Sequence, residues 1–411
     1  MDSTMLSYWG RIRTASFLSH IGNGVSSSLI LLYLAGHFPA EFVPIPTAFM
    51  LIAMSCGAAC ASALIRRLGA LKVIILGYSV LALDLVVLAM AAQFGASEIT
   101  VVCAFAVNGF AAGATMAPVS VLWSHLGAGE NRTKVFATNA ILNRTGLAIG
   151  SAIGGMFIGL NTYALGFCLD ALSFVLATIT WVSCSKTLRN VGQGPMSRSY
   201  KNRLSARALL SDMSQAWRVV SSQRWLFVYL IAISITAIPF ELASSAGVPN
   251  TLTQTYTAQQ AGLWAALPAW ALLAGNVIAR LCPNIRLPGL LLLVGDALVA
   301  TAYFALSIHL NITIAVLLLS VGRFSLSIGT PHLQAYIGNH FRPSDQTRVY
   351  ALLDGARTFL GPFGLFAGYV LLTLANAPTI LFYCAIICVV ITAFSAFVPG
   401  IATFAANKPT K

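Results

Sequence analysis

The stretch VIILGYSVLALDLVVLAMAA (73–92) runs twenty residues with one charge, and the chain repeats such blocks from end to end. About 20 apolar residues are what a helix needs to cross ~30 Å of hydrocarbon. Charged residues make up 9% of the 411, against roughly 25% in a soluble domain. The sequence therefore predicts an integral membrane protein. In lipid every backbone polar group must be satisfied internally, which leaves helices or a closed barrel. Continuous apolar runs, rather than short alternating segments, select helices. Twelve spans are predicted, near 12–36, 47–65, 73–93, 99–124, 135–160, 164–185, 225–247, 259–279, 288–308, 312–334, 349–374 and 379–399.

The net charge of +13 first suggests an acidic partner. Its distribution says otherwise. With a cytoplasmic N-terminus, 21 of the 24 Lys and Arg fall on the cytoplasmic side, in segments such as RRLGALK (66–72) and GENRTK (129–134). The remaining three, Arg144, Arg323 and Arg357, lie inside spans. This is the positive-inside bias, so the charge sets topology and argues against nucleic-acid binding. Both termini are expected in the cytoplasm of a bacterial inner membrane, and no cleavable leader is read at the start. The eight cysteines sit almost entirely in spans without the histidine or carboxylate company that metal ligation needs. Neither a metal nor a cofactor is expected.

A basic linker, 186–224, with eight cations and one acid, divides two sets of six spans. Its portion SARALLSDMSQAWRVV suits an amphipathic helix on the inner leaflet. The expected domains are an N-terminal half, 1–185, this linker, and a C-terminal half, 225–411. One offset of 213 residues maps Arg67 onto Arg280, Gly109 onto Gly322, Pro118 onto Pro331, Arg144 onto Arg357 and Thr145 onto Thr358. TKVFA (133–137) faces TRVYA (347–351) one residue out of phase. Six spans per half is an even number, so the halves form a parallel repeat.

These residues resemble the major facilitator superfamily. Between spans 2 and 3 that family shows Gly-x-x-x-Asp-Arg-x-Gly. Here SALIRRLG (62–69) keeps Arg67 and Gly69, with Arg66 where the family acid stands, and GNVIARLC (275–282) keeps Gly275 and Arg280. The family's exporters carry Gly-x-x-x-Gly-Pro-x-x-Gly-Gly in span 5. GLAIGSAIGG (146–155) matches with Gly146, Gly150, Gly154 and Gly155, and the second half carries Gly361 and Pro362. GFCLDALSFVLA (166–177) is similar to the start of span 6 in the enterobactin-exporter-like branch. The resemblance implies twelve helices in two parallel six-helix repeats, all-α and integral to the membrane. It makes Arg66, Arg67, Gly69, Arg280 and the glycines above gating elements. The span 5 glycines, at every fourth residue, form a small-residue stripe expected to make a close seam between the halves.

By the same resemblance, spans 1, 4, 7 and 10 line a central cavity and spans 5 and 11 border it. Candidate substrate contacts are then His20, Asn23, Asn108, Asn139, Asn143, Arg144, Arg323, Asp354 and Arg357. A mid-membrane charge costs about 2.5–3.5 kcal/mol on insertion scales, so each needs a partner or a task. Asp354 and Arg357 are three apart on one helix and can neutralise each other. Glu241, after Pro239 on a cavity helix, is the foremost candidate for a proton switch. Asp84 and Asp296, near the centres of scaffold spans 3 and 9, are either proton couplers or internal hydrogen-bond partners. Asp170 is read as a packing or capping residue. The arginines suit a carboxylate or phosphate. The expectation is a monomeric, non-enzymatic secondary transporter. It would export a small anionic or amphiphilic molecule, such as a siderophore or a drug, by proton antiport within membrane lipid. Import of a similar solute, a channel and a lipid scramblase are the alternatives.

Overall fold

A computed structural model describes residues 3–39, 42–126, 131–159, 162–185, 206–248, 251–252 and 258–404. The described residues are helical almost throughout. In the first half, α1 (Ser3–His37), α2 (Pro44–Leu68), α3 (Ala70–Phe94), α4 (Glu98–Leu126), α5 (Arg132–Gly159) and α6 (Tyr163–Ser183) supply six spans. After the linker helix α7 (Ala206–Ser221) come α8 (Arg224–Leu242) with a π-helical continuation (Ala243–Gly247), α9 (Ala258–Leu281), α10 (Pro288–Ser307) and α11 (Ile312–His340). Then follow α12 (Pro343–Phe359), α13 (Gly361–Leu374) and α14 (Ala377–Ala396). Linker residues 186–205 and tail residues 405–411 lie outside the described set.

Among the described residues, eight of these helices are individually long and apolar enough to cross a membrane. Of the rest, α1 and α5 carry the polar residues Arg11, Arg13, His20 and Asn23, and Arg132, Lys134, Asn139, Asn143 and Arg144. They are 35 and 28 residues long, enough to cross the hydrocarbon. The eleventh span departs from expectation. It is two helices, broken at Leu360. Pro362, at the start of α13, has no N–H to give and clashes with the carbonyl four residues back, which favours a kink or break there.

The chain forms two compact units. The first comprises Met1–Glu130, Ile141–Ala216 and Phe341–Gly355; the second comprises Asn131–Ala140, Trp217–His340 and Ala356–Lys411. The first nine residues of α5 thus belong to the second unit, and the start of α12 to the first. Within the first unit α2 packs on α4, α3 on α4 and α6, and α1 on α6. Within the second, α9 packs on α11, α10 on α11 and α14, and α8 on α14. The pairing order is the same in both, which is the repeat seen in sequence expressed as packing.

Each unit has its own apolar core. In the first it gathers Leu29, Ile74, Leu85, Phe105, Phe167 and Trp181. In the second it gathers Tyr303, Leu306, Leu381 and the thiols of Cys384 and Cys388, which act as small packing groups. Helix α3 shows why such helices belong in lipid. Ile74, Leu81, Leu85 and Leu88 are buried, while Leu76, Leu83, Val86 and Met90 on the other face are exposed. An apolar face of that size in water would drive association.

Two helices can turn on one residue where glycine permits it. Gly69 alone separates α2 from α3, with φ 86° and ψ 148°, a region essentially closed to residues with a Cβ. Arg66 and Arg67 occupy the last turn of α2, where cations favour the negative end of the helix dipole.

Candidate functional site

The polar residues fall into three clusters. The first is built on α1 and α5 in the first unit. His20 and Asn143 meet with Nδ1 and Nδ2 3.4 Å apart, and the Arg144 guanidinium acts electrostatically on His20. Arg144 is exposed, whereas His20, Asn23 and Asn143 are half-buried. What lets α1 and α5 approach is the glycine stripe. A Cβ on Gly150 would lie 1.9 Å from the Ile21 carbonyl oxygen and 2.8 Å from the Gly24 Cα. One on Gly146 would meet the His20 Cβ at 2.7 Å, and one on Gly154 the Val25 oxygen at 2.8 Å. Gly155 faces open space.

The glycine stripe, expected at a seam between the halves, packs α5 against α1 inside the first unit. The period of the glycines identified the smooth face, and α1 matches it because Gly24 offers a second flat surface at the same level. The second unit repeats the device between α13 and α8. There a Cβ on Gly364 would lie 2.3 Å from the Ile238 carbonyl oxygen and 3.1 Å from the Glu241 Cβ. Gly361 and Pro362 carried that motif in sequence, yet the close approach belongs to Gly364.

The second cluster surrounds Arg323 on α11, in the second unit. Its guanidinium carbon stands 4.1 Å from the centroid of the Phe240 ring on α8, a cation–π geometry. The same group interacts electrostatically with Glu241 on α8 and with Asp296 and Tyr303 on α10. Arg323 closes no ion pair with either carboxylate, and its Nε has no hydrogen-bond partner. One permanent cation thus faces two titratable acids contributed by two different helices. Phe240 and Tyr303 were not picked out in sequence. Tyr303 lies seven residues after Asp296, on the same helical face, which is the signal that locates it.

The third cluster is built on α3 and α4 in the first unit. Asp84 on α3 is buried and accepts a hydrogen bond from Asn108 Nδ2 on α4 at 3.1 Å. The cavity candidate and the scaffold carboxylate therefore bond each other.

The remaining candidates are dispersed. Asn139 has a buried Oδ1 that meets no hydrogen-bond donor among the described residues. Asp354 on α12 is buried, while the Arg357 side chain lies outside the described residues, so the expected mutual neutralisation has only one described member. Arg67 and Arg280 are exposed at the ends of α2 and α9, and Arg66 is half-buried. A further arginine, read in sequence as topology alone, has definite partners in the second unit. Arg132 donates to the Gly338 carbonyl at 2.5 Å and to the Asn339 side chain, at the C-terminal end of α11. Beside it Asn131 Nδ2 donates to Asn284 Oδ1 at 3.1 Å. A cation on the last carbonyls of a helix satisfies groups that have no intrahelical partner.

Two sets of apolar helices packed in one repeated order, with polar groups gathered on a few helices, define the class as a polytopic membrane transporter fold. The sequence model of the Major Facilitator Superfamily matches residues 14–352, and the chain belongs to that family. Among solved structures it is similar to the proton:xylose symporter XylE bound to 6-bromo-6-deoxy-D-glucose, with TM-score 0.71 at 16% identity over 96% of each chain. It is also similar to the E. coli fucose:proton symporter FucP, with TM-score 0.67 at 16% identity over 96% of this chain and 99% of that one. Comparison with curated protein sequences gives no match. Likeness at this identity establishes the fold; substrate and direction are separate questions.

Proposed function

We propose that this transporter couples the movement of protons to the export of a small anionic or amphiphilic molecule, of siderophore or drug-like kind, by alternating access. The observation that carries the proton part is the Arg323 cluster, in which one cation is shared by Glu241 and Asp296. With a fixed positive charge and two acids, charge balance is reached when one acid holds a proton. Substrate or water entering beside α8 alters which acid that is, and so links proton uptake to occupancy. The anionic preference is supported by exposed Arg144 beside His20 and Asn143, since guanidinium presents a fork of donors suited to carboxylates. Export is supported by the glycine pattern of 146–155. Nothing in this arrangement calls for covalent chemistry, and the protein is read as a transporter rather than an enzyme.

Import by symport is the second reading, favoured by the proton symporters among the similar folds. Proteoliposomes with an imposed pH gradient and a panel of carboxylate siderophores and aromatic acids test both. Uphill movement of a solute against the direction of proton flow supports antiport; co-directional movement supports symport. Flux that ignores the gradient and survives both Glu241→Gln and Arg323→Ala overturns the coupled reading.

A further inference from the structure

Asp170 on α6 is among the most buried polar residues of the chain, at 1% exposure. Its Oδ2 and the Ser26 hydroxyl of α1 are 2.5 Å apart, and its Oδ1 and the Ser173 hydroxyl 3.1 Å. Helix α1 reaches the carboxylate through a notch: a Cβ on Gly22 would lie 2.2 Å from Asp170 Oδ1 and 2.2 Å from Ser173 Oγ. The carboxyl group thus fills the space that the missing side chain leaves, at the contact between a helix expected to line the cavity and a scaffold helix.

The ionisable groups on the packed elements are otherwise engaged. On α1, His20 faces Asn143 of α5, His37 bonds its own Tyr33 carbonyl, and the Tyr33 hydroxyl donates to the Ala91 carbonyl. Arg13 stacks on Trp9, nine residues from Gly22 and so roughly 13 Å along the helix; Arg11 lies beyond it. On α3, Asp84 is held by Asn108, and Tyr78 meets Ser19 and the Phe174 ring. On α6 itself, Tyr163 packs edge-on against His37. Among the described residues Asp170 forms no ion pair.

The partners differ in kind from those of Asp84. An amide NH2 only donates, so Asn108 suits an ionised Asp84. A serine hydroxyl donates one hydrogen bond and accepts two. Ser26 can therefore donate to the anion, with Ser173 sharing its hydrogen between the Asp170 carbonyl at 2.8 Å and Oδ1, or serve the neutral acid by rotating to accept its proton. A constellation that serves both forms equally in hydrogen bonds leaves one difference between them. The anion is a buried charge with no cation beside it, which is tolerable only if water reaches it. With Asp170 at 1% exposure and Gly22 set against it, water reaches the carboxylate when α1 gives way.

We propose that Asp170 is a proton-binding site of the first unit, at which the neutral acid holds α1 against α6 through Ser26 and loss of the proton frees α1. The exchange is a simple ionisation: the carboxyl O–H bond breaks, the proton passes to water entering along α1, and the electron pair stays on Asp170. On its far side the same stretch of α1 carries the Gly24 contact with α5 and His20. Movement there would be transmitted to the polar cluster of Arg144. The site itself is independent of the transport reading; its use in coupling rests on that reading.

Difference infrared spectroscopy on the purified full-length protein tests the site without any substrate, the proton being the probe. The wild type should show protonated-carboxyl C=O bands that titrate reversibly, and Asp170→Asn should abolish one that survives Asp84→Asn, Glu241→Gln and Asp296→Asn. Ser26→Ala should shift the frequency of that band, since the carboxyl group loses a hydrogen-bond partner. For the movement of α1, His37→Cys and Tyr163→Cys, whose rings are 5.6 Å apart, are combined after the exposed cysteines are changed to serine. Their crosslinking should depend on pH in a way that Asp170→Asn abolishes. A set of titrating bands left unchanged by Asp170→Asn, or an Asp170 band that never titrates in folded protein, overturns the site. A crosslinking profile unchanged by Asp170→Asn overturns the link to α1. Either result leaves the proteoliposome experiment on the Arg323 cluster standing, and failure there leaves this site standing.

Discussion

Alanine placed along the α5 glycine stripe gives three different answers from one chemical change. At Gly150 the new Cβ would stand 1.9 Å from the Ile21 carbonyl oxygen, whereas an easy carbon–oxygen contact is about 3.3 Å. The obstacle is backbone on both sides, so no side chain can swing away, and α1 must retreat by about 1.4 Å by that difference. A gap of 0.5–1 Å already forfeits roughly a quarter to a half of a contact's dispersion energy. Overpacking of this sort destabilises by about 1–3 kcal/mol. At Gly154 the nearest backbone atom is 2.8 Å away, and a shift of about 0.5 Å suffices on the same reference. At Gly155 nothing lies within 4 Å, so the gain of roughly 0.8–1 kcal/mol in helix propensity over glycine is unopposed. Apparent unfolding midpoints of the detergent-purified variants, followed by tryptophan fluorescence, should therefore fall in the order Gly155→Ala, wild type, Gly154→Ala, Gly150→Ala. Equal loss at 155 and 150, or none at 150, would refute the packing of α1 on this stripe.

Other outcomes follow from the remaining contacts. Asn108→Leu leaves Asp84 buried without its donor and should cost about 1–3 kcal/mol, read as a lower unfolding midpoint; Asn108→Ser should recover part of it. Arg132→Ala removes the donors to Gly338 and Asn339, and hydrogen exchange over residues 336–340 should accelerate. Arg132→Lys should restore it only in part, since an ammonium lacks the planar fork. Pro362→Ala returns an N–H to the break at Leu360 and should slow exchange at residues 360–363, with unchanged exchange marking a break that does not depend on proline. Phe240→Leu takes the ring from beneath the Arg323 guanidinium and should weaken the cluster by about 0.5–2 kcal/mol, without altering membrane insertion.

The polar residues show where reading the chain was sufficient and where it stopped. Apolar block lengths placed most helix centres, because the thickness of hydrocarbon fixes them. The break at Leu360 was missed, although Gly361 and Pro362 were in view, because hydropathy averages over a proline. The stripe of Gly146, Gly150 and Gly154 was legible as a face, since helical period alone generates it. Its partner was not, since nothing in a period names the helix that comes to meet it. Asp84 and Asn108 stood out singly as charges and amides in lipid, 24 residues apart on different helices, and their bond exists only because α3 and α4 pack. Asp170, read as packing, acquires its two hydroxyls from one local neighbour, Ser173, and one neighbour 144 residues away, Ser26.

By itself, then, the sequence determined the solvent this protein folds in, its helical class, its internal repeat and the positions at which polarity is placed in lipid. Those are consequences of composition and of short-range periodicity, which act residue by residue. Tertiary structure alone decided which polar group meets which: Arg323 with two acids and two rings, Arg132 with the end of α11, and α1 with a glycine stripe on one side and Asp170 on the other. Such pairings depend on close packing between helices distant in sequence, where a missing Cβ or a single hydroxyl selects the neighbour.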